Sequence, residues 1–587
     1  MAAPARAVGP FEWSVDNPFP LLDAEGTRKL TPDAGKTVVA TFAKLTANGS
    51  HGIMPAVVKA NLDGPGYAKA YARGGPRLIN IRIKDAPADA DCEWSTVPKG
   101  KAESRKAKCA EYAQITVPMG GGTVSVRSPQ LGNGSESLVI DEKLIVGFGD
   151  SYSSGEGNPD EPAFWRFDGS ESIFYGDPND DGRYRWPMNL VSRISKDASW
   201  LHIGCHRSLW SYQPQTALAY ATASPHRVVT FLFYSCAGAL IKELTDVPQE
   251  APGDPDSVSL PQIDQAVKDL CPSKLRKTKN RPLICRSRGM RRINAILLTI
   301  GGNDAGFAKV IYNEVLPPGN QDPYACFFRA VLKPMTPAEA KARIQRLPGS
   351  WAKLQAAFER RLGVKPDRVF VPEYPNLLID GKGQLCDESS QSMLESLRSV
   401  ISSFTFVLTK KESEETQRDV ITPMHDAIMN GSPRWSIINS HLQPSSLHGM
   451  CAVKSDPKKE LSYPLPTTYG ALWENAPSPE RWRPYDASLP RWYRTPNDSI
   501  LTLWNRASPW LQQLNRHPEK IPCPYAKMDK VQMEKVNTLR FFGLDLLLGS
   551  FHPTARYHSE VADAILPVLD ARLAQPQESP RKARTVR

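Results

Sequence analysis

KLIVGFGDSYSSGEGNP, residues 143–159, decides the fold. Its first half is an unbroken apolar run, too short for an ordinary helix, and it stops at Gly149-Asp150-Ser151 before a cluster of serines and glycines. Such a run reads as a strand buried on both faces, the kind found in parallel sheets. The same pattern returns in HRVVTFLFYSC (226–236), NAILLTIGGND (294–304), DRVFVPEYPN (367–376) and WSIINSHL (435–442). Helical stretches lie between them: YQPQTALAYATA, LPQIDQAVKDL and PAEAKARIQRLPGSWAKLQAAFERRLG. Strands alternating with helices predict a three-layer α/β/α unit around a five-stranded parallel sheet. Two insertions interrupt it, a helical one at 386–430 and a Trp-, Pro- and Arg-rich, cap-like one at 452–540.

Upstream, residues 1–140 have a different character. KTVVATFAKL (36–45), RLINIRIKD (77–85), YAQITVPM (112–119) and GTVSVRSP (122–129) alternate apolar and polar residues between turn formers, which predicts antiparallel strands and a sandwich-like accessory domain. DCEWST with Cys109 has the Cys and Trp of an immunoglobulin-like core, but the spacing is too short for an inter-sheet bridge. The chain thus divides into a β domain (1–140), an α/β domain (141–570) and a basic, disordered tail (571–587).

The chain has 587 residues, 41% hydrophobic and 23% charged, and no apolar run approaches the ~20 residues of a spanning helix. The net charge of +11 is concentrated in KLRKTKNRPLICRSRGMRR (274–292) and PRKARTVR (580–587). This allows peripheral contact with an anionic surface but does not make a nucleic-acid site. Ten cysteines without CxxC spacing, and histidines that complete no zinc pattern, read as structural bridging. Cys92 and Cys109 share the β region, Cys205 and Cys236 flank a helix, Cys271 and Cys285 bracket the basic loop, and Cys386 and Cys451 flank an insertion; Cys326 and Cys523 remain as a fifth pair. MAAPARAVGPFEW carries no signal peptide, so the protein is either intracellular or exported with its signal removed.

In an open α/β sheet the working residues lie beyond the carboxyl ends of the strands. Three predicted strands end in chemistry. After the first, Ser151 stands at the mouth of a helix, exposing Oγ and offering its N–H to an oxyanion. After the second, SCAGA places Gly238 in a turn where the backbone can approach a substrate. After the third, Gly301-Gly302-Asn303-Asp304 offers an Asn carboxamide as a third donor. Near the C-terminus, SFHPTARYHSEVADAIL presents His552 in a rigid turn before a helix.

Across most of 141–570 the sequence resembles the SGNH (GDSL-like) hydrolases. GFGDSYSSGEGNP, the Gly238 turn, GGND and FHP are similar to that family's four blocks, in order, and CHRSLWSYQPQTALA and HGMC resemble its secreted actinobacterial-type lipase and esterase branch. The resemblance implies a flavodoxin-like sheet, Ser151 as nucleophile, His552 as general base, and an oxyanion hole of Ser151 N–H, Gly238 N–H and Asn303 Nδ2. It also implies disulfides Cys205–Cys236 and Cys386–Cys451, a secreted or periplasmic location, and a monomer acting on a small-molecule or lipid ester without cofactor or metal. One departure stands out: the family's Asp three residues before the His is here Gly549, in GLDLLLGSFHP. A dyad is therefore expected, with the Gly549 carbonyl orienting His552; Asp545 is the nearest acidic alternative.

Other residues have plainer readings. Ser153 and Ser154 cap the helix after Ser151, Asp150 and Asp304 hold tight turns rather than forming a glycosidase pair, and His558 is a packing or surface residue. DPNDDG (177–182) begins like a calcium loop, but Met188 stands where a bidentate Glu is needed. RWRPYDASLPRWYRTPNDS (481–499) lines a cleft or packs a cap. The expected function is carboxylic-ester hydrolysis (lipase-, phospholipase- or esterase-like); the alternatives are acetyl or acyl-carbohydrate ester cleavage and a non-catalytic binding protein on the same scaffold.

Overall fold

The computed structural model describes residues 10–32, 35–41, 71–97, 102–161, 164–165, 194–196, 198–251, 254–272, 275–276, 282–285, 289–315, 329, 333–388, 408–452, 490–494 and 549–575. The DPNDDG loop, Cys326, Cys523, Asp545, the tail beyond 575 and most of the 452–540 insertion lie outside these residues.

The N-terminal region forms two antiparallel sheets. Strands β1 (Phe11–Val15), β2 (Arg77–Ile83), β3 (Asp91–Thr96), β4 (Glu103–Lys108), β5 (Ala113–Val117), β6 (Gly121–Ser128) and β7 (Gly132–Val139) pair in the orders β1-β2-β5 and β4-β3-β6-β7. Alternate residues of both sheets, among them Ile79, Ile81, Ile115, Trp94, Val124 and Val126, close a common core. That core is what period-two alternation predicts for facing sheets. The Cys92–Cys109 disulfide joins β3 to the residue after its neighbour β4, so it staples one hairpin and does not bridge the sheets.

Within KTVVATFAKL the described residues depart from the expected strand: residues 38–41 are helical. The Val38 and Val39 N–H groups donate to the Asp563 carboxylate at 2.8 and 3.0 Å, and Ala40 N–H donates to Thr37 Oγ1 at 3.1 Å. These bonds satisfy the unpaired amides of a first helical turn. Val38, Phe19, Leu21, Leu22 and Leu30 pack into the core of the α/β unit, not that of the sandwich.

β8 (Asp141–Gly149) opens the α/β unit. It is flanked by the parallel strands Arg227–Phe233 and Ala295–Thr299, followed by Val369–Pro372 and Ser436–Ile438. Counted along the chain the order is 2-1-3-4-5, the flavodoxin-like arrangement implied by the resemblance. Alternate sheet residues face two helical layers. Ile145, Val229, Phe231, Leu297 and Phe370 meet the helices Tyr212–Thr222 and Ala555–Ala574. Leu144, Val146, Phe148, Ile296 and Leu298 meet Ile241–Thr245, Gln262–Leu270 and Leu347–Ala357. Each fully buried aliphatic or Phe side chain of this kind stabilises by roughly 1.5–3 kcal/mol.

The helix predicted over 337–363 is broken into Pro337–Ile344 and Leu347–Ala357. Pro348, which lacks an N–H, sits in the first turn of the second piece. The helical insertion runs from Lys410 to Gly431 among the described residues. The last helix continues to Ala574, four residues into the stretch expected to be disordered. Disulfides Cys205–Cys236, Cys271–Cys285 and Cys386–Cys451 are formed, and no helix of the described residues is long and apolar enough to cross a membrane.

Candidate active site

The carboxyl end of β8 turns sharply. Gly149 has φ +133°, and a Cβ there would lie 2.2 Å from the Thr299 carbonyl, so only glycine fits between the two strands. Asp150 follows as the N-cap of the short helix Ser151–Ser154, accepting from Tyr152 N–H. Asp150 is therefore the cap, a role expected of Ser153 and Ser154. Ser153 instead ties the helix to the neighbouring strand: its Oγ accepts from Thr299 N–H at 2.9 Å and makes a close contact with Thr299 Oγ1. Ser154 Oγ donates back to the Ser151 carbonyl at 3.1 Å. Ser151 itself is 8% exposed and opens onto a cleft.

Gly238 follows the second strand with φ +77°, and a Cβ there would meet nothing within 4 Å, which leaves its backbone open to a ligand. The turn is held by Cys236 N–H donating to the Gly149 carbonyl at 3.0 Å and by the Cys205–Cys236 bridge. After the third strand, Gly301 adopts φ +119°, and the Asn303 side chain donates to the Ala239 carbonyl at 3.1 Å. That bond commits one of the two carboxamide N–H groups, and Asn303 lines the cleft. Asp304 accepts from Ile241 N–H at 3.1 Å, so it holds a turn, and it is no partner to Asp150 in acid–base work.

His552 comes from the loop before the last helix. Its Nδ1 lies 2.8 Å from the Ser550 carbonyl, one residue on from the expected Gly549. Burial pushes the imidazole below its ordinary pKa, while the Glu156 charge and the Ser550 and Gly549 carbonyls pull the other way. Gly549 has φ +78° and Phe551 φ +64°, and these two left-handed residues turn the Ser550 carbonyl toward the ring. The loop is clamped from outside: Arg494 N–H donates to the His552 carbonyl at 2.7 Å, Phe551 N–H to the Arg494 carbonyl at 2.7 Å, and Asn158 Nδ2 to the Pro553 carbonyl at 2.8 Å. Arg494 belongs to the Trp- and Arg-rich segment, so part of that segment braces the histidine loop. His558 is fully buried and stacked on Tyr212, the packing role expected of it.

Ser151, Gly238, Asn303 and His552 line one cleft of about 1110 Å³, counting its open mouth. Phe307, Ala308, Tyr312, Val420, Ile421 and Met424 supply an apolar wall. No group of three or more metal-ligating side chains occurs among the described residues.

Sequence reasoning missed three features. One is the Ser550 carbonyl. Another is Tyr374, whose hydroxyl donates to Asp150 at 2.6 Å and accepts from Gly302 N–H at 3.3 Å, joining the first and third strand ends. The third is Glu156, buried in the cleft wall and bonded to His206 Nδ1 at 2.6 Å. An acidic residue between two glycines, five residues past Ser151, was the available signal.

Burial pushes Asp150 up to about 7, against the hydrogen bonds from Tyr374, Tyr152 and Thr299, and Asp160 likewise up to about 7. Both carboxyls ionise near their ordinary values when unfolded, so the native state holds more protons at intermediate pH. Their contribution to stability is full below about pH 4 and is lost as pH rises through about 7. Asp150→Asn keeps a capping oxygen and removes that ionisation. The loss of melting stability between pH 5 and pH 8 is expected to be smaller in this variant by roughly 1–3 kcal/mol. Parallel melting curves of variant and wild type across that range would refute it.

No family model and no curated protein matches the chain. Among solved structures, the extracellular lipase from Streptomyces rimosus is 17% identical over 73% of this chain and 99% of its own, with a TM-score of 0.28. Phospholipase A1 from Streptomyces albidoflavus NA297 is 16% identical over 73% and 99%, with a TM-score of 0.29. A family two carbohydrate esterase from Clostridium thermocellum is 9% identical over 76% and 94%, with a TM-score of 0.22.

Proposed function

We propose that this protein is a serine-dependent carboxylic-ester hydrolase of the SGNH type. The observation that carries the reading is the convergence on one cleft of Ser151, Gly238 and Asn303, from the ends of three adjacent strands, with His552 from a distant loop. Ser151 Oγ attacks the ester carbonyl carbon as His552 Nε2 takes the hydroxyl proton. The oxyanion is held by the N–H groups of Ser151 and Gly238 and by Asn303 Nδ2. The C–O bond to the alcohol breaks, the alcohol leaves with the proton from His552, and water then releases the acid by the same steps in reverse roles.

The apolar wall favours an ester with a hydrocarbon acyl chain over acetylated carbohydrate, because burying methylenes stabilises binding by ~0.8 kcal/mol each. The four disulfides among the described residues support an exported protein. A p-nitrophenyl ester series from acetate upward tests the reading, together with labelling by a fluorophosphonate. Turnover that rises with chain length, and labelling confined to Ser151, are expected; absence of both sinks the enzyme reading and leaves the binding-protein alternative.

The general base must be neutral, and burial holds His552 below its ordinary value. The acidic limb of kcat/KM is therefore expected at a pH below the ordinary histidine range, near 6.5. A limb centred above 7 would contradict this.

A further inference from the structure

Among the described residues the His552 Nδ1 meets a neutral carbonyl, yet a carboxylate is buried in the wall of the same cleft. Glu156 lies on the turn that follows the Ser151 helix, and its own N–H donates to the Ser151 carbonyl at 3.2 Å. The next two residues carry the histidine loop. Gly157, at φ +84°, packs so tightly that a Cβ would lie 2.8 Å from the Gly549 carbonyl, and Asn158 Nδ2 bonds the Pro553 carbonyl. Glu156 and His552 therefore stand on two segments locked together, and both line the cleft.

The carboxylate is 3% exposed. One oxygen is bonded to His206 Nδ1, and the Gly157 backbone N–H also favours the ionised carboxylate. A buried carboxylate costs several kcal/mol unless charges compensate it. His206 is held for that purpose by the Cys205–Cys236 disulfide next to it and by stacking on Trp200 at 4.6 Å between ring centroids. Burial raises the Glu156 carboxyl, but His206 and His552 outweigh it and keep it below its ordinary value, so it is ionised when His552 works.

We infer that Glu156, paired with His206, is the counter-charge of His552: a positioning residue that stabilises the imidazolium from the nucleophile's own turn, in the place of the aspartate absent at Gly549. It touches no reacting atom. A charge buried in the wall of the same cleft is screened little by water and is strong enough to matter for a proton transfer.

Other groups also act on the ring. His206 opposes its protonation, His558 behind it senses the same charge, and the Ser550 and Gly549 carbonyls favour it. The Tyr152 ring stands 5.7 Å away, the Tyr312 hydroxyl feels Glu156, and the buried Arg494 guanidinium, which donates to Asn158 Oδ1 at 3.0 Å, adds a positive charge on the far side of the loop. The inference draws its catalytic meaning from the ester-hydrolase reading, but the electrostatic pairing can be measured without turnover.

The test is a titration of the His552 imidazole by NMR in the full chain with 13C-labelled histidine, the signal assigned with His552→Ala. Glu156→Gln and, as a second charge-free variant, Glu156→Ala are expected to lower the His552 midpoint by about 0.5–1 pH unit, and Glu156→Asp to keep it near wild type. In kinetics the acidic limb should move down by the same amount, with kcat reduced about tenfold and KM within about twofold. An unmoved midpoint in a folded charge-free variant overturns the inference. So does unfolding of both charge-free variants while Glu156→Asp folds, since the role is then structural. A wild type without turnover but with the shifted midpoint would sink the ester-hydrolase reading and leave the pairing standing.

Discussion

Ser151→Ala and His552→Ala are each expected to lower kcat by roughly 10⁴–10⁶, and the double variant to lose no more than the worse single one. In the proposed mechanism nucleophile and base act as one unit: without the Ser151 hydroxyl there is nothing for His552 to deprotonate, and without His552 the hydroxyl stays protonated at neutral pH. Both changes should leave the fold intact. Ser151 is the first residue of a four-residue helix whose cap is Asp150 and whose tie to the next strand is Ser153, so its own hydroxyl is not part of the scaffold. His552 is clamped through its backbone, by Arg494 N–H on its carbonyl, and alanine keeps that bond. Steady-state kinetics on a short ester with matched melting curves checks this. Equal activity in Ser151→Ala would remove the serine mechanism altogether, and losses that multiply in the double variant would mean that the two residues work independently.

Asn303→Ala is expected to cost about 10²–10³ in kcat with little change in KM, the signature of a donor used only when the oxyanion forms. The carboxamide is pre-aimed: one N–H is committed to the Ala239 carbonyl, and the backbone before it is set by the left-handed Gly301. Ala239 is fully buried and its carbonyl loses this donor in the variant, so stability should also fall by about 1–3 kcal/mol. Asn303→Asp should be as damaging or worse, because it places a negative charge against a developing one. A loss expressed wholly in KM would show that Asn303 binds the ground state instead.

Part of this site was legible before any coordinates. The apolar runs ending in Asp150-Ser151, Cys236-Ala237-Gly238 and Gly301-Gly302-Asn303 are local features, and in a parallel sheet the carboxyl ends of strands lie on one edge, so residues far apart in sequence converge. The same logic failed where locality failed. KTVVATFAKL alternates like a strand, yet residues 38–41 are helical because Asp563, 525 residues away, takes the free amides of a first turn. β4, ESRKAK, was not readable as a strand, since it is an edge strand with little buried on either face and so has no apolar alternation.

The sequence by itself therefore determined the five buried strands, their connection by helices, Ser151, Gly238 and Asn303 at three of their ends and the loop of His552, because burial on both faces and tight turns leave marks within a few neighbouring residues. Tertiary structure alone decided what surrounds those four. Which carbonyl meets His552 depends on the peptide orientations between Gly549 and Phe551, which composition does not encode. The joining of Glu156 to His206, fifty residues on, depends on a disulfide-held turn meeting the segment after Ser151, and the raised pKa of Asp150 depends on its complete enclosure. Electrostatics of this kind is set by distance and by exclusion of water, and both exist only once the chain has closed around the site.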